Sequence, residues 1–298
     1  MMDGFAFRHP GVDRAEPERG DPAVLDRRWQ GARVLVLNEK GEACRPAGGD
    51  LLQAAERISP RRPDTATYLG HHDAQAYFAL PLESAGFTPS ETVGVRVAAV
   101  DWPAWQASLF AQAKALLHWQ SQSRYCGRCG GLTELKSAGY SAACGNCGLV
   151  VYPQTHPATI MCVSDGEHLL LGRQAAWPEK RWSLLAGFVE PGETPEQTAV
   201  REVWEESGVR AERVRYVASQ PWPMPMVLMV GCDVYAPMQP IRISEELQAA
   251  RWLSRAELRA AVEAGELQLP DALSISRYLI ERWLAAGPEV RDFWHTKP

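Results

Sequence analysis

Nothing in the sequence approaches the roughly 18 consecutive apolar residues of a membrane span. The opening stretch, MMDGFAFRHPGVDRAEPERGDP, has no apolar core of the kind a secretory signal requires. Basic charge is not in excess either. Lys and Arg number 31 against 36 Asp and Glu, a formal net charge of −5, which argues against a wholesale basic surface for duplex nucleic acid. No internal repeat or low-complexity tract is evident. Cysteine is sparse: there are seven, and four of them fall in a metal-type spacing. That excludes a dense disulfide framework and points to a reducing, cytoplasmic setting. What is present, 46% hydrophobic and 22% charged residues, is ordinary for a soluble globular protein. At 298 residues the chain exceeds one typical domain, so two or three units are expected.

The most informative segment is residues 187–209, GFVEPGETPEQTAVREVWEESGV. From Ala199 it reads as a helix at about 100° per residue. Ala199, Val203, Val200 and Trp204 fall on one arc. Glu202, Glu205 and Glu206 fall on the opposite one, with Arg201 at its edge. Thr194 is placed to cap the helix, with Pro195 at its first position and Gln197 completing a capping box. Gly187 and Gly192 supply a loop that can fold back over the helix and bring Glu193 to Arg201. Three carboxylates on one turn repel one another, and a hard divalent cation such as magnesium resolves the conflict. A charge run of this kind is, taken alone, most often a solvated helix face. The longer spacing sets it apart: glycine, five residues, Glu193, seven residues, then Arg201-Glu202-Val203-x-Glu205-Glu206-x-Gly208-Val209. It resembles the Nudix box. That resemblance implies metal-dependent hydrolysis of a nucleoside diphosphate linked to another group, with Glu202, Glu205 and Glu206 as ligands. It leaves open which glutamate is the general base.

Cys126-Gly-Arg-Cys129 and Cys144-Gly-Asn-Cys147 lie 14 residues apart. Two such knuckles offer four thiolates to a tetrahedral structural zinc. A redox dithiol is the competing reading, but that more often shows a single CxxC beside a βαβ pattern. Cys44, Cys162 and Cys232 read as packing residues.

Along the chain, the first 25 or so residues are rich in Pro, Gly and charge and are expected to be loosely ordered. Strands are expected at Ala32–Asn38, Thr67–Gly70 and Ala76–Leu82, with a turn at Asn38–Gly41, and a helix over Asp101–Gln122. After the cysteines, strands are expected at Ala158–Ser164, Leu169–Arg173, Trp182–Phe188, Arg213–Ser219 and Val227–Tyr235. Helices follow at Ser254–Ala264 and Leu273–Ala286, the last stopped by Gly287-Pro288. The expected organisation is an N-terminal α+β domain (1–122), a four-cysteine ribbon (123–151) and a catalytic domain (152–298). The N-terminal part shows no catalytic constellation. The class is α+β, and the resemblance implies a Nudix α/β/α sandwich for the catalytic part.

Ser219-Gln220-Pro221-Trp222-Pro223-Met224-Pro225 stands ten residues beyond the box. Alternating prolines cannot donate ladder hydrogen bonds, so this is not a central strand. It reads as a stiff loop presenting Trp222. With the ribbon before the box and this SQPWPxP after it, the chain is similar to the NADH pyrophosphatase family. That similarity implies hydrolysis of NAD(H) to nicotinamide mononucleotide and AMP with magnesium or manganese, a homodimer, and removal of NAD caps from RNA 5′ ends. Residue by residue, it implies that Phe188 stacks on a base and that Tyr152 is contributed from the dimer partner. It further implies that Gln220, Pro221, Trp222, Pro223, Met224, Pro225, Met226 and Val227 form the substrate loop. Glu246 matches a further metal ligand, and Ser276 a backbone contact. Two positions depart from the pattern: Val227 stands where the family usually has Ser, and Gly139 where an acidic residue is common. A lost hydroxyl costs one hydrogen bond, about 0.5–1.5 kcal/mol net. ADP-ribose, coenzyme A or another nucleoside diphosphate derivative is therefore the alternative substrate, and a nucleotide-sensing module the alternative of another class.

Overall fold

The computed structural model describes residues 4–286. Its first helix, α1 (Pro22–Trp29), starts where Asp21 caps the amides of Ala23 and Val24 and proline takes the first position. The lead into it is not loose. Residues 16–20 form a 3-10 turn, and Glu18 there accepts from Arg28 at 2.5 Å and from the Tyr68 hydroxyl at 2.9 Å. Proline and charge in that stretch serve as capping and pairing signals.

The strands β1 (Arg33–Leu37), β2 (Ala43–Pro46), β3 (Leu52–Ala54), β4 (Thr67–His72), β5 (Gln75–Pro81) and β6 (Pro89–Val93) make one sheet, with the four-residue helix α2 (Ala55–Ile58) after β3. The strand order is β4-β5-β1-β2-β6, with β3 also on β1, and β1 runs parallel to β5. Strand alternation buries both faces. Leu35, Leu37, Tyr77 and Ala79 pack against α3 (Val95–Asp101) and α4 (Ala104–Gln122). Val34, Val36, Phe78 and Leu80 pack with Leu25 and Trp29 of α1. The single helix expected over Asp101–Gln122 begins only at Ala104. Pro103 is its N-cap, and a separate helix ends before it, because proline disfavours a helical residue ahead of it. The three-stranded sheet of β7 (Thr133–Lys136), β8 (Ser141–Cys144) and β9 (Val150–Val151) completes this unit of Ala6–Thr155 with Trp222–Met226.

Among the described residues the second unit comprises His156–Pro221 and residues 227–286, with Phe5 joining it. Its strands are β10 (His156–Ser164), β11 (His168–Arg173), β12 (Leu185–Phe188), β13 (Arg213–Trp222), β14 (Val227–Tyr235) and β15 (Ala249–Ser254). The order is β13-β14-β10-β11-β15, with β12 on β10 and β14 parallel to β10. Met161 and Val163 face Ala199 and Val203 of α5 (Pro195–Ser207). Ile160 and Cys162 face Leu258 of α6 (Arg255–Glu263) and Leu279, Ile280 and Trp283 of α7 (Ile275–Ala285). A sheet between α5 and the α6–α7 pair is the α/β/α sandwich expected. Pro221 lies in β13, an edge strand, the place in a sheet where proline is tolerated. The Gly287-Pro288 stop falls outside the described residues.

The two units share one topology. Reading β1 to β6 against β10 to β15, the strand order, the one parallel pair and the off-path third strand all coincide. The helix after the third strand is where they differ, four residues in α2 against 13 in α5. No helix among the described residues is long and apolar enough to cross a membrane.

Candidate active site

Helix α5 begins as its sequence dictates. The Thr194 hydroxyl accepts from the Gln197 amide at 3.3 Å, and the Gln197 side chain accepts from the Thr194 amide at 2.8 Å. It ends at Gly208, whose φ of 67° is the left-handed cap that glycine adopts without strain. Between these stops, helical spacing puts Glu202, Glu205 and Glu206 on one turn. Glu206 is 5% exposed, Glu202 half-buried and Glu205 exposed. On the other arc Ala199 and Val203 are buried, whereas Val200 and Trp204 are exposed. The sheet is in contact with only one side of that arc.

Arg201 joins the loop to the helix. Its guanidinium grips both oxygens of Glu193, Nε to Oε1 at 2.7 Å and Nη2 to Oε2 at 2.9 Å. Nη1 donates to Glu202 at 2.8 Å and Glu205 at 2.9 Å, and Nη2 also donates to the Phe188 carbonyl at 2.9 Å. A planar five-donor fork suits this arrangement, and an ammonium does not. The hydrogen bond from Arg201 holds the Glu193 carboxyl down at about 2, aided by the Glu190 amide. Sequence pairing anticipated Glu193 with Arg201. It did not find Thr198, whose hydroxyl donates to Glu193 Oε2 at 3.0 Å and for which nothing in the spacing gives a signal.

The remaining carboxyls have the opposite environment. Burial, then the charges of Glu202 and Glu246, push Glu206 up to about 8, with the Ala186 amide opposing. Burial also raises Glu202, against the pull of Arg201. Glu246 is exposed, in a segment that follows the end of α5: the Arg242 amide donates to the Ser207 carbonyl at 2.8 Å and that of Ser244 to the Glu206 carbonyl at 3.1 Å. An all-carboxylate donor set suits a hard divalent cation. The backbone fits as well, because a Cβ on Gly187 would occupy the position of the Glu202 carboxylate. Among the described residues, however, only the cysteines bring three or more ligand atoms within 4.8 Å of one another. Arg201 draws Glu202 and Glu205 toward itself.

In the ribbon, Cys126 and Cys147 sulfurs lie 3.6 Å apart and those of Cys129 and Cys144 3.5 Å apart. Tetrahedral ligands about 2.3 Å from a central zinc sit about 3.8 Å from one another, so the set fits that ion. Gly130 and Gly148, each after a second cysteine, both have φ of 71°, the conformation that turns each knuckle. Amides of Cys147 and Asn146 lower the Cys144 thiol to about 6, which favours the thiolate that binds metal.

The other expected site residues are dispersed. Phe188 (59% exposed) lies on β12 and Tyr152 (64% exposed) just after β9. Gln220 is fully buried, its amide donating to the Leu273 carbonyl at 2.7 Å and accepting from the Ile275 amide at 2.8 Å. Ser276 is buried and its hydroxyl lies 2.9 Å from that of Ser183. The stretch expected as a stiff loop from Ser219 runs as strand β13 through Trp222, with Pro221 exposed and Trp222 half-buried; beyond it Pro223 and Met226 are buried, Met224 half-buried and Pro225 exposed, and Val227 opens β14.

Three sequence families match the chain in succession: an NADH pyrophosphatase-like rudimentary NUDIX domain at residues 29–119, an NADH pyrophosphatase zinc ribbon domain at 121–152 and a NUDIX domain at 154–273. The first of these accounts for the shared topology. A protein of Mycobacterium bovis named NAD-capped RNA hydrolase NudC is 36% identical over 291 residues, spanning 92% of this chain and 93% of its own length. Its Mycobacterium tuberculosis namesake is 35% identical over the same spans. The human NAD-capped RNA hydrolase NUDT12 is 38% identical over 199 residues, 62% of this chain and 43% of the relative.

Proposed function

Because the chain belongs to the NADH pyrophosphatase family of Nudix hydrolases, we propose that it cleaves the pyrophosphate bond of NAD(H) to nicotinamide mononucleotide and AMP. On the same chemistry it removes NAD caps from RNA 5′ ends, the activity that its bacterial and human relatives are named for. The observation that carries the reading is the arrangement around α5: buried Glu206 lies within electrostatic reach of Glu202 and Glu246, and Glu193 and Arg201 lock the loop to the helix.

The residues divide the work. Glu202, Glu205, Glu206 and Glu246 supply oxygens to magnesium or manganese. Bound there, the cation polarises the diphosphate and lowers the pKa of a water. Arg201 fixes Glu202 and Glu205 before substrate arrives and ties the backbone at Phe188 to the same fork. Preorganisation of this kind spares reorganisation during the reaction. Glu206 retains its proton at neutral pH without a cation, and it would give that proton up on serving as a ligand. Phe188, Trp222 and Tyr152 offer flat rings to the bases, the last from a partner subunit of a homodimer. The rest of the loop from Gln220 to Val227 shapes the dinucleotide subsite, and Ser276 contributes through its backbone. The four cysteines hold a structural zinc. The parts are assigned as 1–122, 123–151 and 152–298, working in the cytoplasm.

A product-resolved panel of NADH, NAD, ADP-ribose, coenzyme A and NAD-capped RNA with magnesium tests this reading. Release of AMP and reduced nicotinamide mononucleotide from NADH, and of a 5′-monophosphate end from capped RNA, is expected. Preference for ADP-ribose or coenzyme A would move the assignment to the substrate alternative that Val227 raises, and binding without turnover would overturn it.

A further inference from the structure

The substrate loop leaves β13 and returns into β14, yet its residues Trp222–Met226 pack with the unit built from Ala6–Thr155. Three alternate side chains make the contact. The Arg96 guanidinium of α3 lies over the Trp222 ring, 5.1 Å from its centroid. Met224 packs against the core cluster that includes Val95, Ala98 and Phe110. Met226, 7% exposed, packs with Trp119 of α4 and Ala142 of the ribbon. Pro223 and Pro225 stand between them and restrict the backbone, and the Met224 amide closes onto the Trp222 carbonyl at 2.8 Å.

This unit has lost the long acidic helix: α2 is four residues and its only carboxylate, Glu56, is spent on the Gly31 amide. With no cation site of that kind, its retained sheet and helices still do something for the loop. We propose that the rudimentary N-terminal unit is the mount for the dinucleotide-recognition loop, with Arg96 as the positioning residue that sets the plane of Trp222. The inference rests on the assignment of that loop to dinucleotide binding. A guanidinium within about 6 Å of an indole centroid is attracted to its face. Covering one face of the half-buried ring fixes its tilt for stacking with a flat group such as a base. Ordering the ring in advance lowers the entropy lost on binding.

Arg96 is exposed on α3, so its replacement leaves the core intact. For Arg96→Met, which keeps the aliphatic stem and loses the cation, KM for NADH is expected to rise about three- to tenfold with kcat within about twofold. Arg96→Lys, which keeps a cation, is expected to recover at least half of the lost affinity. Thermal midpoints of all three proteins should agree within about 2 °C. A KM for Arg96→Met within twofold of wild type, or a Lys variant no better than Met, overturns the role of Arg96. Equal losses in kcat and KM would also overturn it, since those report damage to the chemistry and not to ring placement. A wild-type protein that leaves NADH intact contradicts the substrate assignment itself, and this inference falls with it.

Discussion

The carboxylate of Glu202 rests against the Cα of Gly187, in the space a β-carbon would take. A strand and a helix therefore meet at a point where only glycine admits a charged group. For Gly187→Ala the far end of Glu202 must swing away, which a flexible side chain does cheaply. The expected outcome is a fold of nearly wild-type stability with kcat/KM lowered about 100-fold. Thermal melts together with NADH kinetics check it. A drop in melting temperature that matches the loss of activity would instead mean that Gly187 is needed for packing alone.

Arg201 makes five hydrogen bonds, one each to Glu202, Glu205 and Phe188 and two to Glu193 along Nε and Nη2, and the shared reach of its fork is what Lys lacks. Arg201→Lys is expected to behave like Arg201→Ala, each lowering kcat at least about tenfold. Full activity in the lysine variant would show that charge and not geometry is what matters.

Glu206 gives a pH dependence with a definite sign. In the folded protein without a divalent cation its carboxyl titrates at about 8, against an ordinary 4.5. Between those values the folded state holds a proton that the unfolded chain has released, so stability falls as pH rises from 4.5 to 8. The stabilising contribution is complete only below 4.5. Glu206→Gln is therefore expected to melt higher than wild type at pH 8 and at the same temperature near pH 4.5. The gain is bounded by about 5 kcal/mol. Both proteins should be freed of magnesium and manganese with zinc retained. A Gln variant that is less stable at pH 8 would contradict the desolvated acid described here.

The ribbon predicts a separate loss. Cys144→Ser removes one sulfur from a set of four that lie within 4.8 Å of one another, and structural zinc contributes folding free energy directly. Zinc content should drop and the melting temperature should fall by several degrees. Retention of one zinc per chain would show that the remaining groups suffice.

Much of the site could be read from the sequence where the chemistry is local. The cap at Thr194, the stop at Gly208, the Glu193–Arg201 pair and the four cysteines depend on neighbours within a few turns. What escaped depends on distant packing. The exposure of Val200 and Trp204 is set by where the sheet ends, which helical spacing does not carry. Strand β15 lies in LQAARWLS, whose mixed polarity gives little alternation; its place is set by pairing with β11. The shared topology of the two units left no repeat in the residues, because strand order survives when side chains diverge. Gln220 fits the loop motif by position, yet its amide is engaged with Leu273 and Ile275 at the start of α7, a contact 53 residues away that spacing does not reveal.

On the proposed function, NADH cleavage depends on a divalent cation held at the Glu206 turn of α5. A manganese titration followed by electron paramagnetic resonance, run beside NADH turnover on wild type and Glu206→Gln, tests it directly. Manganese affinity in the variant is expected to weaken at least tenfold while turnover falls by orders of magnitude. Unaltered manganese binding and near-normal release of AMP from Glu206→Gln would contradict it.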